Sequence, residues 1–231
     1  MRVDLHNFFK FYDEKNPKHV AAVEQLEKDL ETRASDLIDD SSNWVYIFRT
    51  KVQSKVSSVL NVPYFPQTDN YSQPNRTCNS SSCAMCLEYF KPGTLKGAQG
   101  DDDYLRKVFT VGDTTDHTVQ TKVLESYGVK SVFRYDLGFD DIDKSLSVGK
   151  PVVIGILHRG TLSSPSGGHM LVVIGKTPQG DYVVNDPYGS LNDSYTGPVS
   201  NGKGAVYKKS DLRYRWLEND KDNTGWGRIF S

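Results

Sequence analysis

The sequence predicts an α+β fold with a mostly antiparallel sheet, preceded by a helical appendage, and three observations carry that expectation. Helical patterns fill the main body up to about residue 128, several strand patterns follow one another after residue 130, and the first 55 residues have a character of their own. Helices gathered ahead of strands separate this class from an alternating, parallel arrangement.

Asn16 is placed to cap a helix whose first position is Pro17, where a missing N–H is harmless, and Val20, Val23, Leu26, Leu30 and Ala34 recur on one face. DLIDDSSN breaks the stripe, and Trp44, Val45, Ile47 and Phe48 begin a second short helix or turn. Residues 1–55 are thus expected as a helical appendage, too small to bury much surface alone, and residues 56–231 as the main domain. In that domain the chain from Cys78 onward can be helical as far as Phe90, before the stop Lys91-Pro92-Gly93. DDDYLRKVF is an acidic turn of helix; Thr115 or Asp116 opens another through Val119, Val123, Leu124 and Tyr127, closed by Gly128. VKSVFRY reads as a strand, DDIDKSLSVG as a short helix ended by Gly149, and PVVIGIL as a fully apolar strand. SSPSGG is expected as a loop, HMLVVIG and DYVVNDP as two strands around the turn TPQG, and GAVYKK as one more.

A chain of 231 residues can bury a core without covalent staples. Its 28 lysines and arginines stand against 29 acidic residues, so the basic footprint of a nucleic-acid or anionic-membrane binder is missing. Partners are expected to be peptides, glycans or small molecules, and the protein a monomer. The opening MRVDLHNFFKFYDEKNPKHV has no apolar core of signal-peptide length, and no later stretch approaches a membrane span, so a cytoplasmic location is expected. Three clustered cysteines argue against an extracellular disulfide framework. No calcium-loop pattern, HExxH or paired CxxC occurs, and neither metal nor cofactor is expected.

The thiols differ by position. Cys78 follows the irregular QTDNYSQPNRT and stands at a helix start, where unpaired backbone N–H groups favour a thiolate. On that helix Cys86 lies roughly 12 Å further along and Cys83 points about 140° away, so the three cannot share a metal. Cys83 and Cys86 align with Leu87 and Phe90 on the expected buried face and are read as packing residues.

GGHMLVVIG sets His169 at the mouth of an apolar strand, after a glycine pair that leaves the imidazole approachable, and DYVVNDPYG sets Asp186 at the far end of the next strand. With TPQG as a four-residue loop, Lys176 pairs with Asp181, His169 stands opposite Tyr188, and Asp186 stands opposite Leu171. His169 and Asp186 are then diagonal neighbours on one face. A thiol at a helix start, an imidazole on a strand and a carboxylate on the next strand make a nucleophile, base and orienter. Gln67, in VPYFPQTDN, is an amide on the loop feeding the helix, and with the Cys78 N–H it can stabilise an oxyanion. His158 ends a strand without a matching carboxylate and is the weaker candidate base; His117 within a helix, and His6 and His19 in the appendage, read as surface residues. Asp101 to Asp103 read as a solvated helix start.

The order VPYFPQ, TCNSSSCAM, GKPVVIGI, GGHMLVVIG and YVVNDPYG resembles the papain-like cysteine peptidases of the bacteriocin-leader-processing, double-glycine type, in the branch found in phage and bacterial proteins, over about residues 59–208. The resemblance implies a papain-like α+β fold, a central helix packed on the sheet, with Cys78 as nucleophile, His169 as general base, Asp186 as orienter and Gln67 as oxyanion donor. Asn79 and Ser80 stand where the family's cysteine is often followed by glycine and proline. The closing DLRYRWLENDKDNTGWGRIF is similar to the tail of phage lysis or tail-associated proteins, several of which are thought to cut cell-wall peptides. The expectation is a cysteine peptidase of endolysin type acting on peptidoglycan peptides; if phage-encoded, it stays in the host cytoplasm until lysis or is virion-associated. The alternatives are a protease acting on a host or viral protein, with residues 1–55 as recognition or inhibitory segment, and a catalytically silent binding module.

Overall fold

The computed structural model describes residues 16–19, 21, 25 and 59–231, and the chain divides into two units, residues 1–57 and 58–231. In the first unit Asn16 caps the turn of helix at Pro17. Its Oδ1 accepts the Lys18 N–H at 3.0 Å and its carbonyl accepts the His19 N–H at 2.9 Å. The expected stripe of Val20, Val23, Leu26, Leu30 and Ala34, the segment from Trp44 to Phe48, and His6 lie outside the described residues.

The second unit runs α1 (Cys78–Phe90), α2 (Asp101–Val111), α3 (His117–Ser126), β1 (Ser131–Leu137), α4 (Phe139–Ser147), β2 (Val152–Ile156), β3 (Arg159–Thr161), β4 (Ser164–Ser166), β5 (His169–Lys176), β6 (Tyr182–Asn185), β7 (Lys203–Tyr207), α5 (Lys209–Trp216) and β8 (Gly225–Phe230). Local chemistry sets several boundaries. Asp116 caps α3 by accepting the N–H groups of Thr118 (2.7 Å) and Val119 (3.2 Å), and Gly128 closes that helix at φ +77°. Asp141 reaches back to the Gly138 N–H at 2.9 Å to open α4, and Gly149 ends it at φ +72°.

Six strands form one sheet in the order β1-β8-β2-β5-β6-β7, with every pairing antiparallel, and β3 and β4 form a separate two-stranded ribbon. Alternation along β2 and β5 sends side chains to two cores. Val153, Met170 and Val172 join α1, α2 and α3 on one face; Val152, Ile154, Ile156, Leu171 and Val173 join Ile142 of α4 and Leu212 and Trp216 of α5 on the other. This is an α+β fold with a helix packed against the middle of an antiparallel sheet.

Two expectations change, and one segment without an expected element gains two. SSPSGG is not all loop, because Ser164–Ser166 forms β4 against Arg159–Thr161. The closing segment, for which the sequence predicts no element, supplies both α5 and β8, and β8 lies between β1 and β2. GWGRIF, with two glycines and an arginine, does not read as a central strand, yet its glycines are where neighbours press closest. A Cβ at Gly227 would stand 2.5 Å from the Val153 carbonyl oxygen, and one at Gly225 would stand 2.4 Å from the Trp216 indole. The second changed expectation is at the hairpin turn, where Lys176 pairs with Tyr182 instead of Asp181. A bulge at Ile174 then takes up one residue, so that Val173 pairs with Val184 and Val172 with Asn185. Near the site the register is therefore the expected one.

Candidate active site

Cys78 is the first residue of α1 and is half-buried, whereas Cys83 and Cys86 are fully buried; all three are free thiols. Residues Asn79 to Leu87 are all buried, so α1 is enclosed on every side and its polar start must find partners inside the protein. Each side chain finds a different one. Asn79 Nδ2 lies 3.2 Å from His117 Nδ1, and Ser80 Oγ lies 2.7 Å from Thr114 Oγ1 while accepting from Gln120 Nε2 at 2.8 Å. Ser81 donates to Asp101 Oδ2 at 2.7 Å, and Ser82 donates to the Met170 carbonyl at 3.1 Å. The Ser82 contact, one turn after Cys78, ties the helix to β5 beside His169 and fixes thiol against ring.

His169 opens β5, opposite Ile156 of β2, and its Nε2–H donates to Asp186 Oδ1 at 2.6 Å. With Nε2 so engaged, Nδ1 is the nitrogen left for chemistry. Burial alone would push the Cys78 thiol up, but hydrogen bonding to His169, the charge of His169, and the N–H groups of Met170 and Asn79 outweigh it and hold the thiol below its usual range. Burial would lower the His169 pKa, yet the Asp186 charge, the bond to it and the neighbouring Cys78 raise it. Both shifts favour a thiolate–imidazolium pair. Cys83 and Cys86 are pushed up, first by burial, and remain thiols.

Asp186 is fully buried and takes four donors. Oδ1 accepts from His169 and from the Tyr188 N–H at 3.0 Å, and Oδ2 accepts from the hydroxyls of Tyr195 (3.1 Å) and Tyr207 (2.7 Å). Neither tyrosine was singled out as a site residue by the sequence, since their hydroxyls arrive from 9 and 21 residues away. Gln67 sits on a short 3-10 turn, buried, with its backbone N–H donating to the Pro187 carbonyl at 2.8 Å and its Nε2 donating to the Pro74 carbonyl at 2.7 Å. It thus bridges the loop before α1 and the residue after Asp186. Its Oε1 is buried without a hydrogen-bond partner among the described residues.

His158 does not engage Asp186. Its ring lies 5.2 Å from that of His169, and burial, then the charges of His169 and Arg159, lower its pKa to about 4, so it is neutral near pH 7. His117 departs from the surface position expected of it. It opens α3, stacks on Phe133 with centroids 3.5 Å apart, and is held near pKa 4 by burial and by Arg228. Asp101 and Asp102 also depart from the solvated helix start. They are 1% and 8% exposed, because Asp101 is drawn under α1 by Ser81 and Asp102 accepts the Tyr71 N–H at 3.0 Å. Among the described residues no group of three or more His, Cys, Asp or Glu side chains is placed to hold a metal ion, and no helix is long and apolar enough to cross a membrane.

Comparison with known proteins bears on the family and the fold. A family model described as the Peptidase_C39 like family matches residues 59–221. A crystal structure from Bacillus anthracis, provisionally named a C39-like peptidase, superposes with a TM-score of 0.52 at 15% identity, covering 76% of this chain and 97% of that one. At that identity the likeness is one of fold. No curated protein matches the sequence.

Proposed function

The chain belongs to the Peptidase_C39 like family, and from that premise we propose that it is a cysteine peptidase in which Cys78, His169 and Asp186 act as one catalytic set with Gln67 as oxyanion donor. The observation that carries this reading is the 2.6 Å bond from His169 Nε2 to the buried Asp186, with the thiol of Cys78 held below its ordinary pKa by the same imidazole. In the resting enzyme the proton of Cys78 resides on His169 Nδ1. The thiolate attacks the carbonyl carbon of the scissile peptide bond, and the oxygen takes up the negative charge against the Cys78 N–H and the remaining Nε2–H of Gln67. The imidazolium Nδ1–H then protonates the departing amine, leaving a thioester on Cys78. Water, giving its proton to His169 Nδ1, releases the acid and restores the thiolate.

The substrate class of this proposal is the stem or cross-bridge peptides of bacterial peptidoglycan, cut as a phage endolysin cuts them. It is supported by the similarity of the closing segment DLRYRWLENDKDNTGWGRIF to phage lysis and tail-associated proteins. The test is amine release from purified sacculi, followed by mass spectrometry. Cys78→Ala is expected to abolish release, while Cys83→Ala and Cys86→Ala keep it if they remain folded. Undiminished release by Cys78→Ala would remove the mechanism; active thiol chemistry without any muropeptide product would remove the substrate class alone.

A further inference from the structure

We propose that Tyr195 and Tyr207 are positioning residues of this site: their hydroxyls hold the Asp186 carboxylate turned toward His169, and so set the reactivity of the Cys78 thiol. The proposal rests on the cysteine-peptidase reading above and deepens it.

A carboxylate with no exposed surface must have its charge met by donors. At Asp186 the two oxygens are divided. Oδ1 faces the imidazole and one backbone N–H, and Oδ2 receives two phenolic hydroxyls, from the loop after β6 and from the edge strand β7. Tyr207 is 2% exposed, and its oxygen accepts the Leu191 N–H at 2.8 Å. With that acceptor position filled, its own proton points at Asp186.

Tyr195 reaches Asp186 at a conformational cost. Ser194 and Tyr195 both have left-handed backbones, φ +56° and +59°, which residues with a Cβ rarely adopt. The turn is held by Ser194 N–H to the Leu191 carbonyl at 3.0 Å and Tyr195 N–H to the Ser190 carbonyl at 2.9 Å. What the strained turn delivers is the Tyr195 ring, edge-on to His169 at 6.0 Å and to His158 at 5.8 Å, with its hydroxyl on Oδ2. Two hydroxyls on one oxygen resist rotation of the carboxylate, and rotation is the motion that would break its bond to His169. Burial and then the Asp186 charge push both phenols up, so each remains a donor across the working pH range.

Loss of a donor leaves Asp186 Oδ2 with one hydroxyl and frees the carboxylate to turn. A carboxylate turned aside no longer supports the His169 imidazolium, and the thiol pKa climbs toward its ordinary value. The experiment measures the rate of iodoacetamide labelling at Cys78 against pH, on the full chain, for wild type, Tyr195→Phe, Tyr207→Phe and the double variant. Circular dichroism and thermal melting verify folding. Each single variant is expected to move the midpoint up by about one pH unit, with about a tenfold loss of labelling rate at pH values below the wild-type midpoint, and the double variant further. A merely structural role would leave the midpoint in place. Should Tyr207→Phe unfold because the Leu191 N–H is stranded, Tyr195→Phe, at a half-buried ring in a surface loop, carries the test. A depressed wild-type midpoint with variants that overlie it overturns the positioning role and spares the peptidase reading. A wild-type midpoint at the ordinary thiol value overturns both.

Discussion

At the residue scale, the polar start of α1 shows how much of this protein's chemistry is hidden inside it. Asp101 is the clearest case, a carboxylic acid under the helix whose Oδ2 holds Ser81 while Oδ1 has no partner among the described residues. Burial, against which the Ser81 bond works, raises its pKa from 3.8 to about 7, with the charges of Asp69 and Asp102 adding to the rise. An acid whose folded pKa is raised binds its proton more tightly in the folded state. Its favourable contribution is therefore full below about pH 4, declines as pH rises through the window from about 4 to 7, and changes little above it. Asp101→Asn keeps an acceptor for Ser81 and removes the charge. It is expected to flatten that decline and to gain on the order of 1–3 kcal/mol over wild type at pH 8 but little at pH 4. Urea unfolding at both pH values measures this, and an equal gain at both would mean that the charge is not the cause.

At the scale of elements, β8 explains why the middle of the sheet tolerates so little. Trp226 lies across Gly155 of β2, where a Cβ would stand 2.1 Å from the indole. Gly155→Ala is therefore expected to cost about 2–3 kcal/mol by overpacking. Trp226→Leu alone should also destabilise, since it empties the space the ring fills. In the double variant the methyl has room, so the two losses should add to less than their sum; additive losses in a thermal double-mutant cycle would show that the ring is not what excludes the methyl. The β5–β6 hairpin teaches a related lesson. The bulge at Ile174 offsets the one-residue difference at the turn, and the alternation that buries Val172 and Val173 on opposite faces is what makes that offset necessary.

At the scale of the whole molecule, the terminal strand closes the fold. β8 pairs with β1 and β2, and Arg228, fully buried, donates to Thr121 Oγ1 and Ser131 Oγ at 2.8 Å and to the His117 carbonyl at 2.7 Å. A chain shortened at Asp222 loses the strand between β1 and β2 together with this arginine, and is expected to fail to fold. An edge strand would be lost at smaller cost. Native-like circular dichroism and a cooperative melt of the shortened chain would contradict this account.

Much was legible locally, because caps, stops and periodicity depend on neighbours in sequence. Asp116 capping α3, Gly128 and Gly149 ending helices, the Cys78 position at a helix start, and the bond between His169 and Asp186 across one hairpin all follow from residues close together along the chain. The insertion of β8, the burial of Asn79 to Ser82 and of Asp101, and the arrival of Tyr195 and Tyr207 at Asp186 Oδ2 depended on the tertiary structure. The physical reason is that a serine, an aspartate or a tyrosine carries the same local signal whether it faces water or a partner. Only the packing of distant segments removes the water and makes that partner necessary.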